Sequence, residues 1–187
     1  MAYERGFKSW ANKIADETRR ELDLDPYDRL DPRVLAEWLA VPVFDLSSLL
    51  QDAPSVGHLL TVEKGVFSAV TVFDGTRRAI VHNDRHAPSR QNSNLAHELS
   101  HGLLGHPPTA PLDDSGCRIW NQNIEDEASW LAGSLLISEA ATLEIARGRL
   151  DVQKAGRVFG VSDQFVRYRL NTTGAIRRNL RERAKRR

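Results

Sequence analysis

Cysteine is almost absent from this sequence, and long apolar runs are absent altogether. Cys117 is the only cysteine among 187 residues, so no internal disulfide can form. No stretch approaches the roughly 20 consecutive apolar residues that a membrane-spanning helix needs. The first residues mix charged with apolar side chains and lack the apolar centre of a secretion signal. We therefore expect a cytoplasmic protein, not a membrane protein, that is held together by a hydrophobic core.

The net charge is close to zero, but the charges are segregated along the chain. The sequence has 26 Lys and Arg against 25 Asp and Glu. Residues 166–187 hold nine of the bases and one acid, which leaves 17 bases and 24 acids in residues 1–165. Such a basic end is usually a solvated helix, and in some proteins it binds nucleic acid or an acidic partner. A weak nucleic-acid contact through the basic C-terminus is the most that this pattern predicts.

Apolar periodicity predicts several helices around one short hairpin. Residues 5–22, a segment from Pro32, and residues 88–104 and 123–137 each place apolar side chains on one helical stripe. Short helices are expected over 139–171. Asp74-Gly75 separates two β-rich runs, which predicts a hairpin over 66–81. The expected fold class is α+β, mostly helical, with a small antiparallel sheet.

The segment His97-Glu98-Leu99-Ser100-His101 is the strongest chemical signal in the chain. Histidines four residues apart on a helix lie on one face, one turn apart, so both imidazoles can bind one zinc ion. The glutamate beside the first histidine is then placed as a general base for the water that attacks a peptide carbonyl. The motif predicts a Zn²⁺ cofactor, with His97 and His101 as metal ligands and Glu98 as the catalytic residue.

A catalytic zinc site normally takes three protein ligands, so a third is needed. His106 is close in sequence, but it does not complete the pattern H-E-x-x-H-x-x-G-x-x-H. That pattern requires glycine where the chain has Leu104 and histidine where it has Pro107. The third ligand is therefore expected on the following helix.

That helix offers three consecutive acids. Measured at 100° per residue from the apolar stripe at Ile124, Glu127 lies about 60° away, Glu125 about 100° away and Asp126 nearly opposite. An acid at the rim of a buried stripe can reach a buried metal. We predict Glu127 as the third ligand, with Glu125 as the reserve and Asp126 as an exposed helical acid.

Two segments of the sequence resemble the ImmA/IrrE family of metallopeptidases. The first, residues 95–104, reads Leu-Ala-His-Glu-Leu-Ser-His-Gly-Leu-Leu. The second, residues 125–132, reads Glu-Asp-Glu-Ala-Ser-Trp-Leu-Ala and is similar to the family's Glu-Ala-Asn-x-Phe-Ala, with Ser129 in place of Asn. The hairpin and the N-terminal helices also fit, so the resemblance covers about residues 5–170.

The resemblance implies a zincin-like zinc endopeptidase with Glu98 as the catalytic acid and base. It assigns the zinc ligands to His97, His101 and Glu127. It also implies a protein substrate, a helix-turn-helix transcriptional repressor whose cleavage regulates transcription. The expected organisation is a metallopeptidase domain over 1–138, a helix-turn-helix-like segment over 139–171 and a basic tail over 172–187.

An alternative function rests on residues 150–170, which resemble a helix-turn-helix. Ser162 would cap its second helix, and Arg167 and Arg169 would meet phosphates or bases. The chain would then be a non-catalytic DNA-binding regulator or an antitoxin-like module. The competing interpretation packs this segment against the catalytic part, with a buried set consisting of Phe165, Val166 and Leu170. Glu98 favours the enzyme, because a structural zinc site does not need an uncoordinated carboxylate.

Two further expectations concern how a substrate is held. The exposed edge of the hairpin would receive an extended peptide by strand addition. The negative charge that develops on the attacked carbonyl oxygen needs a nearby hydrogen-bond donor. The sequence does not rank the candidates, which are His58, His82, His86 and Tyr168.

Overall fold

Helices form most of the structure, a computed structural model that describes residues 3–61, 67–107 and 121–185. The helices are α1 (Phe7–Glu21), α2 (Pro32–Trp38), α3 (Val56–Thr61), α4 (Pro88–Leu103), α5 (Gln122–Leu136), α6 (Glu139–Ala146), α7 (Val152–Phe159), α8 (Asp163–Thr173) and α9 (Ala175–Lys185). The strands are β1 (Val43–Asp45), β2 (Ala69–Asp74) and β3 (Arg77–His82), and a short 3₁₀ helix, Leu46–Leu50, follows β1. This confirms the mostly helical α+β fold. Within the described ranges, no helix is both long and apolar enough to cross a membrane. Cys117 lies outside these ranges.

Two of the helices begin directly after a side chain that caps their N-terminus. Asp31 caps α2 by accepting a hydrogen bond from the Arg33 amide, and proline occupies the first helical position. Ser162 caps α8 through the Phe165 amide, as expected. Gly160 ends α7 at φ +66°, a left-handed conformation that suits glycine, so α7 and α8 form the expected helix-turn-helix.

The three strands form one mixed sheet in the order β1-β3-β2. β2 and β3 are the expected antiparallel hairpin, and Gly75 and Thr76 form its loop, with Gly75 at φ +58°. The turn therefore lies one residue later than Asp74-Gly75. β1 joins β3 in parallel, with Val43 opposite Ile80, so the sheet is mixed rather than antiparallel.

The described residues bury two hydrophobic clusters. The first packs α1, α2, β3 and α4 against Trp130, Leu131 and Leu135 of α5. The second packs α6, α7 and α8 against Ala132 and Leu136 of the same helix. Helix α5 therefore contributes to both clusters, and the predicted boundary at residue 138 stays a prediction.

Arg169 corrects one expectation for the helix-turn-helix. The alternative, DNA-binding function requires it to face a nucleic acid, but its side chain is 1% exposed. Its guanidinium donates hydrogen bonds to the Ile137 carbonyl, at 3.1 Å, and to the Ser134 hydroxyl, at 2.8 Å. It also lies 5.3 Å from the Trp130 ring centroid, and burial lowers the pKa of Arg169 to about 10. Arg169 thus anchors α8 to α5, and Arg167 is left as the exposed arginine of α8.

The basic C-terminal segment continues as α9, which packs against α6. Asn179 is buried and donates its side-chain amide to the Ala146 carbonyl at 2.8 Å. Ion pairs join Arg178 to Glu139 and Arg147 to Glu182. Much of the segment is therefore a docked helix.

Candidate metal centre and its cleft

The two helices that carry the sequence motifs face each other across a cleft. Helices α4 and α5 pack together, and β2 and β3 lie against α4. The cleft encloses about 640 Å³, and its lining includes Thr71, Arg78, His97, Glu98, His101 and Glu125. Residues distant in sequence thus meet at one place, a concave site with several polar groups.

Three potential metal ligands converge inside this cleft. The Nε2 atoms of His97 and His101 lie 3.1 Å apart. The Oε2 atom of Glu125 lies 3.1 Å from the His97 Nε2 and 3.9 Å from the His101 Nε2. Among the described residues, these three form a group whose donor atoms all lie within 4.8 Å of one another. The spacing of four residues predicted the pairing of the histidines, because it places both on one face of α4.

Each imidazole turns its other nitrogen towards a hydrogen-bonding partner. The Nδ1 of His97 lies 3.4 Å from the Ser129 Oγ, and the Nδ1 of His101 lies 2.9 Å from the Nδ1 of His106. Metal-ligating histidines commonly use the nitrogen away from the metal in this way, which fixes the orientation of the ring. Both histidines therefore present Nε2 to the centre of the group.

The environment of His101 favours the neutral imidazole. Burial, and then the neighbouring His97 ring, lower the pKa of His101 to about 4 against the opposing effect of Glu125. A neutral ring at pH 7 has a lone pair available for a metal. Two imidazoles and a carboxylate are a donor set found in catalytic zinc sites, so the residues present fit a zinc ion.

Glu98 lies beside this group and contacts the hairpin. Its Oε2 accepts a hydrogen bond of 2.7 Å from the Thr71 hydroxyl on β2. The residue lines the same cleft as the three potential ligands. No sequence pattern indicates Thr71, because the contact depends on how β2 packs against α4.

The acids of α5 are placed differently from the helical-wheel expectation. Glu125, the reserve candidate, joins the two histidines, whereas Glu127 places its Oε2 3.2 Å from the His106 Nε2 and is not part of the group. Asp126 was expected to be exposed, and this was wrong. It is 6% exposed and accepts a hydrogen bond of 2.7 Å from the Gln122 side chain.

The four oxyanion candidates are not brought to the cleft. Among the described residues, its lining includes none of His58, His82, His86 and Tyr168. His82 is fully buried and lies 2.8 Å from an oxygen of Asp45, on the side of β3 where β1 pairs. Arg78 lines the cleft instead, with its guanidinium packed on Gly102, where a side chain would displace it.

Comparison with known protein families found one match. The family model described as the IrrE N-terminal-like domain, a peptidase family, matches residues 57–171. The match spans more than half of the chain and contains α4, α5 and the hairpin. No curated protein matches the chain.

Proposed function

The chain belongs to the IrrE N-terminal-like family of peptidases, and from this membership we propose that it is a zinc-dependent endopeptidase. His97, His101 and Glu125 would hold the ion, and Glu98 is the catalytic acid and base. The observation that carries the proposal is the convergence of three donor side chains next to an uncoordinated glutamate. Glu127, which the resemblance implies, is the alternative third ligand.

A zinc ion bound by these ligands supplies a Lewis acid that polarises the scissile carbonyl and makes water more acidic. The chain's own contribution is proton transfer and orientation. The Glu98 carboxylate takes a proton from the attacking water and then delivers it to the leaving amine. Thr71 holds that carboxylate by a hydrogen bond of 2.7 Å, so that one Glu98 oxygen stays directed towards β2.

The outer edge of β2 provides a place for the peptide to bind. β2 is an edge strand, and the Asn83 amide donates to the Ser68 carbonyl just before it. Along an antiparallel ladder, every second residue of a strand is hydrogen-bonded to the partner strand. Because Ser68 is bonded to Asn83 of the partner side, the backbone N–H and C=O groups of Ala69, Thr71 and Phe73 point away from β3. We propose that an extended substrate pairs with this edge and crosses the cleft beside Glu98.

We further propose that the substrate is a helix-turn-helix transcriptional repressor, as the family resemblance implies. The buried Arg169 argues against the alternative of a DNA-binding regulator, because of the two α8 arginines proposed as contacts only Arg167 is exposed. A structural metal site would also have no use for the half-buried Glu98 carboxylate beside two convergent histidines.

Co-expression with the regulator encoded nearest to this chain tests the proposal. Wild-type protein and the Glu98→Gln variant are compared for cleavage of the regulator and for bound zinc. We expect the wild type to cut the regulator and Glu98→Gln to leave it intact, while both proteins hold one equivalent of zinc. Glu17→Gln, a change at a half-exposed position on α1, is the control and should cut normally.

Three outcomes contradict different parts of the proposal. A wild-type protein that binds no zinc contradicts the metallopeptidase function. Cleavage that persists in Glu98→Gln removes the catalytic role of that residue. An intact regulator with zinc-loaded wild type excludes that regulator as the substrate, and new N-termini in the proteome would then identify the protein that is cut.

A further inference from the structure

The placement of Glu127 against His106 points to a role that metal ligation does not explain. We propose that His106 and Glu127 form a hydrogen-bonded relay that fixes the tautomer of His101. The relay directs the Nε2 lone pair of His101 towards His97 and Glu125. His106 and Glu127 are then positioning residues, and this proposal rests on the proposed metal centre.

The end of helix α4 explains why His106 lies next to His101. Gly105 has φ +67°, and the amides of Gly105 and His106 donate to the carbonyls of Gly102 and His101. This pair of hydrogen bonds is a Schellman motif, which turns the chain back over the last helical turn. The imidazole rings of His101 and His106 consequently lie 5.0 Å apart, centroid to centroid.

The Glu127 carboxylate, which can only accept, determines the direction of the two hydrogen bonds in the relay. The Glu127 carboxylate accepts, so the proton at the 3.2 Å contact lies on the His106 Nε2. A neutral His106 then has a lone pair on Nδ1, which accepts from the His101 Nδ1 at 2.9 Å. With its proton on Nδ1, His101 presents an unprotonated Nε2 to the group of donor atoms.

The surroundings of the relay exclude most of the competing water. The His106 side chain is 9% exposed and that of Glu127 is 22% exposed. Hydrogen bonds in such a place restrict ring rotation more than exposed ones would. Removing an outer partner of a ligating histidine typically lowers metal affinity about 10–100-fold.

Zinc affinity, measured by competition with a chromophoric chelator, distinguishes a relay from a ligand. Glu127→Gln keeps an oxygen that can accept from His106, so we expect a loss of less than about tenfold. Glu127→Leu removes the acceptor and should cost about 10–100-fold. Glu125→Gln removes a proposed ligand and should cost more than either, and Glu17→Gln is the control.

Substitutions of His106 separate the hydrogen bond from the packing. His106→Phe keeps a ring but has no acceptor, and should cost about 10–100-fold. His106→Asn places an amide oxygen where Nδ1 stands, and should restore most of the affinity. In the His106→Phe background, Glu127→Leu should cause no further loss, because Glu127 acts through His106.

Two results would overturn the relay. The first is a strong loss of zinc affinity in Glu127→Gln that persists in the His106→Phe background, which would make Glu127 a ligand. The second comes from long-range ¹H–¹⁵N spectra of the imidazoles, in which we expect the His106 proton on Nε2. A proton on the His106 Nδ1 instead would remove the acceptor that His101 needs.

The same spectra keep this proposal separate from the proposed function. The tautomer of His106 can be determined without added zinc. A wild type that binds no zinc overturns the metallopeptidase function even if His106 has the expected tautomer. A zinc-binding wild type with additive losses in the double variant overturns the relay and leaves the proposed function intact.

Discussion

Thr71 donates its hydroxyl to Glu98 across 2.7 Å and thereby joins the edge strand to the helix of the metal motif. The two residues lie in different elements, β2 and α4, which pack against each other. The strand proposed to receive the substrate therefore also holds the proposed catalytic carboxylate. Substrate position and proton transfer depend on the same local structure.

Replacing the Thr71 hydroxyl should slow cleavage without loss of the metal. Thr71→Val keeps the shape and the strand preference but removes a hydrogen bond to a charged group, a bond usually worth about 1.5–3 kcal/mol. We expect kcat to fall about tenfold or more, and Thr71→Ser to retain most of the activity. Zinc content, measured in parallel, should not change. Equal rates for Thr71→Val and the wild type would show that the contact has no catalytic role.

Blocking the edge of β2 should reduce cleavage. Phe73→Pro removes one of the outward-facing amides proposed to pair with the substrate, whereas Phe73→Ala keeps that amide. We expect the proline variant to lose substantially more activity than the alanine variant, mainly through a higher KM. Both should bind zinc like the wild type. If both variants cleave equally, strand addition is wrong.

The buried arginine of α8 should matter for stability. Arg169→Ala removes two buried hydrogen bonds and a contact with the Trp130 ring, and it leaves a cavity over Gly133. We expect the free energy of unfolding in urea to fall by about 3 kcal/mol. Arg167→Ala, an exposed position on the same helix, is the matched control and should change it by no more than about 0.5 kcal/mol. Similar losses in the two variants would contradict the anchoring role.

Asp84 should make stability depend on pH in the acid range. Burial raises the pKa of this carboxyl, but hydrogen bonds of 3.0 and 2.8 Å from the Ser47 amide and hydroxyl outweigh it, so the net pKa is lowered. The ionised form is thus favoured in the folded state. The stabilisation that ionised Asp84 contributes to the fold is complete above the pKa of an unfolded aspartate, about 3.9. It is lost as the pH falls through the lower pKa of Asp84 in the folded protein.

The comparison of wild type with Asp84→Asn measures this contribution. The difference in unfolding free energy should be largest near neutral pH and should shrink as the solution is acidified below about pH 4. Asp52→Asn, at an exposed position, controls for removal of one charge. A difference that stays constant down to acid pH would show that ionised Asp84 is not stabilised in the fold.

Helix α9 should give at most a weak and salt-sensitive nucleic-acid contact. Arg177 and Arg181 are exposed on it, and phosphate contacts by such side chains lose affinity steeply between about 50 and 200 mM salt. We expect gel shifts of unrelated duplexes to be similar and to decrease in the double variant Arg177→Gln, Arg181→Gln. Sequence-specific binding that resists salt would instead favour the DNA-binding regulator.

The sequence predicted the parts of the fold that depend on local periodicity. The helices of the metal motif, the hairpin and the cap at Ser162 all have signals within a few residues, and the structure contains each of them. β1 has only three residues, too few for an alternating pattern to be recognised. Arg169 is buried because of its partners on α5 and directly after it, which lie more than 30 residues away in the sequence.

The buried Asp126 shows where helical-wheel reasoning on α5 fails. The estimate assumed one buried stripe and one exposed face, but every residue from Trp130 to Leu136 is buried. A helix covered on several sides has no single rim from which to measure an angle. Glu125 and Glu127 differ by what they meet, the His97 and His101 pair or His106, and this depends on the turn at Gly105.

Helix α5 supplies apolar side chains to both hydrophobic clusters, so the two halves of the chain pack against the same helix. A chain cut after residue 138 would leave Ala132 and Leu136 of α5 facing water. The half that carries the metal motif and the helix-turn-helix half should therefore unfold together in a single cooperative transition. A protein that binds α7 or α8 would therefore contact a unit packed on the same helix that carries Glu125.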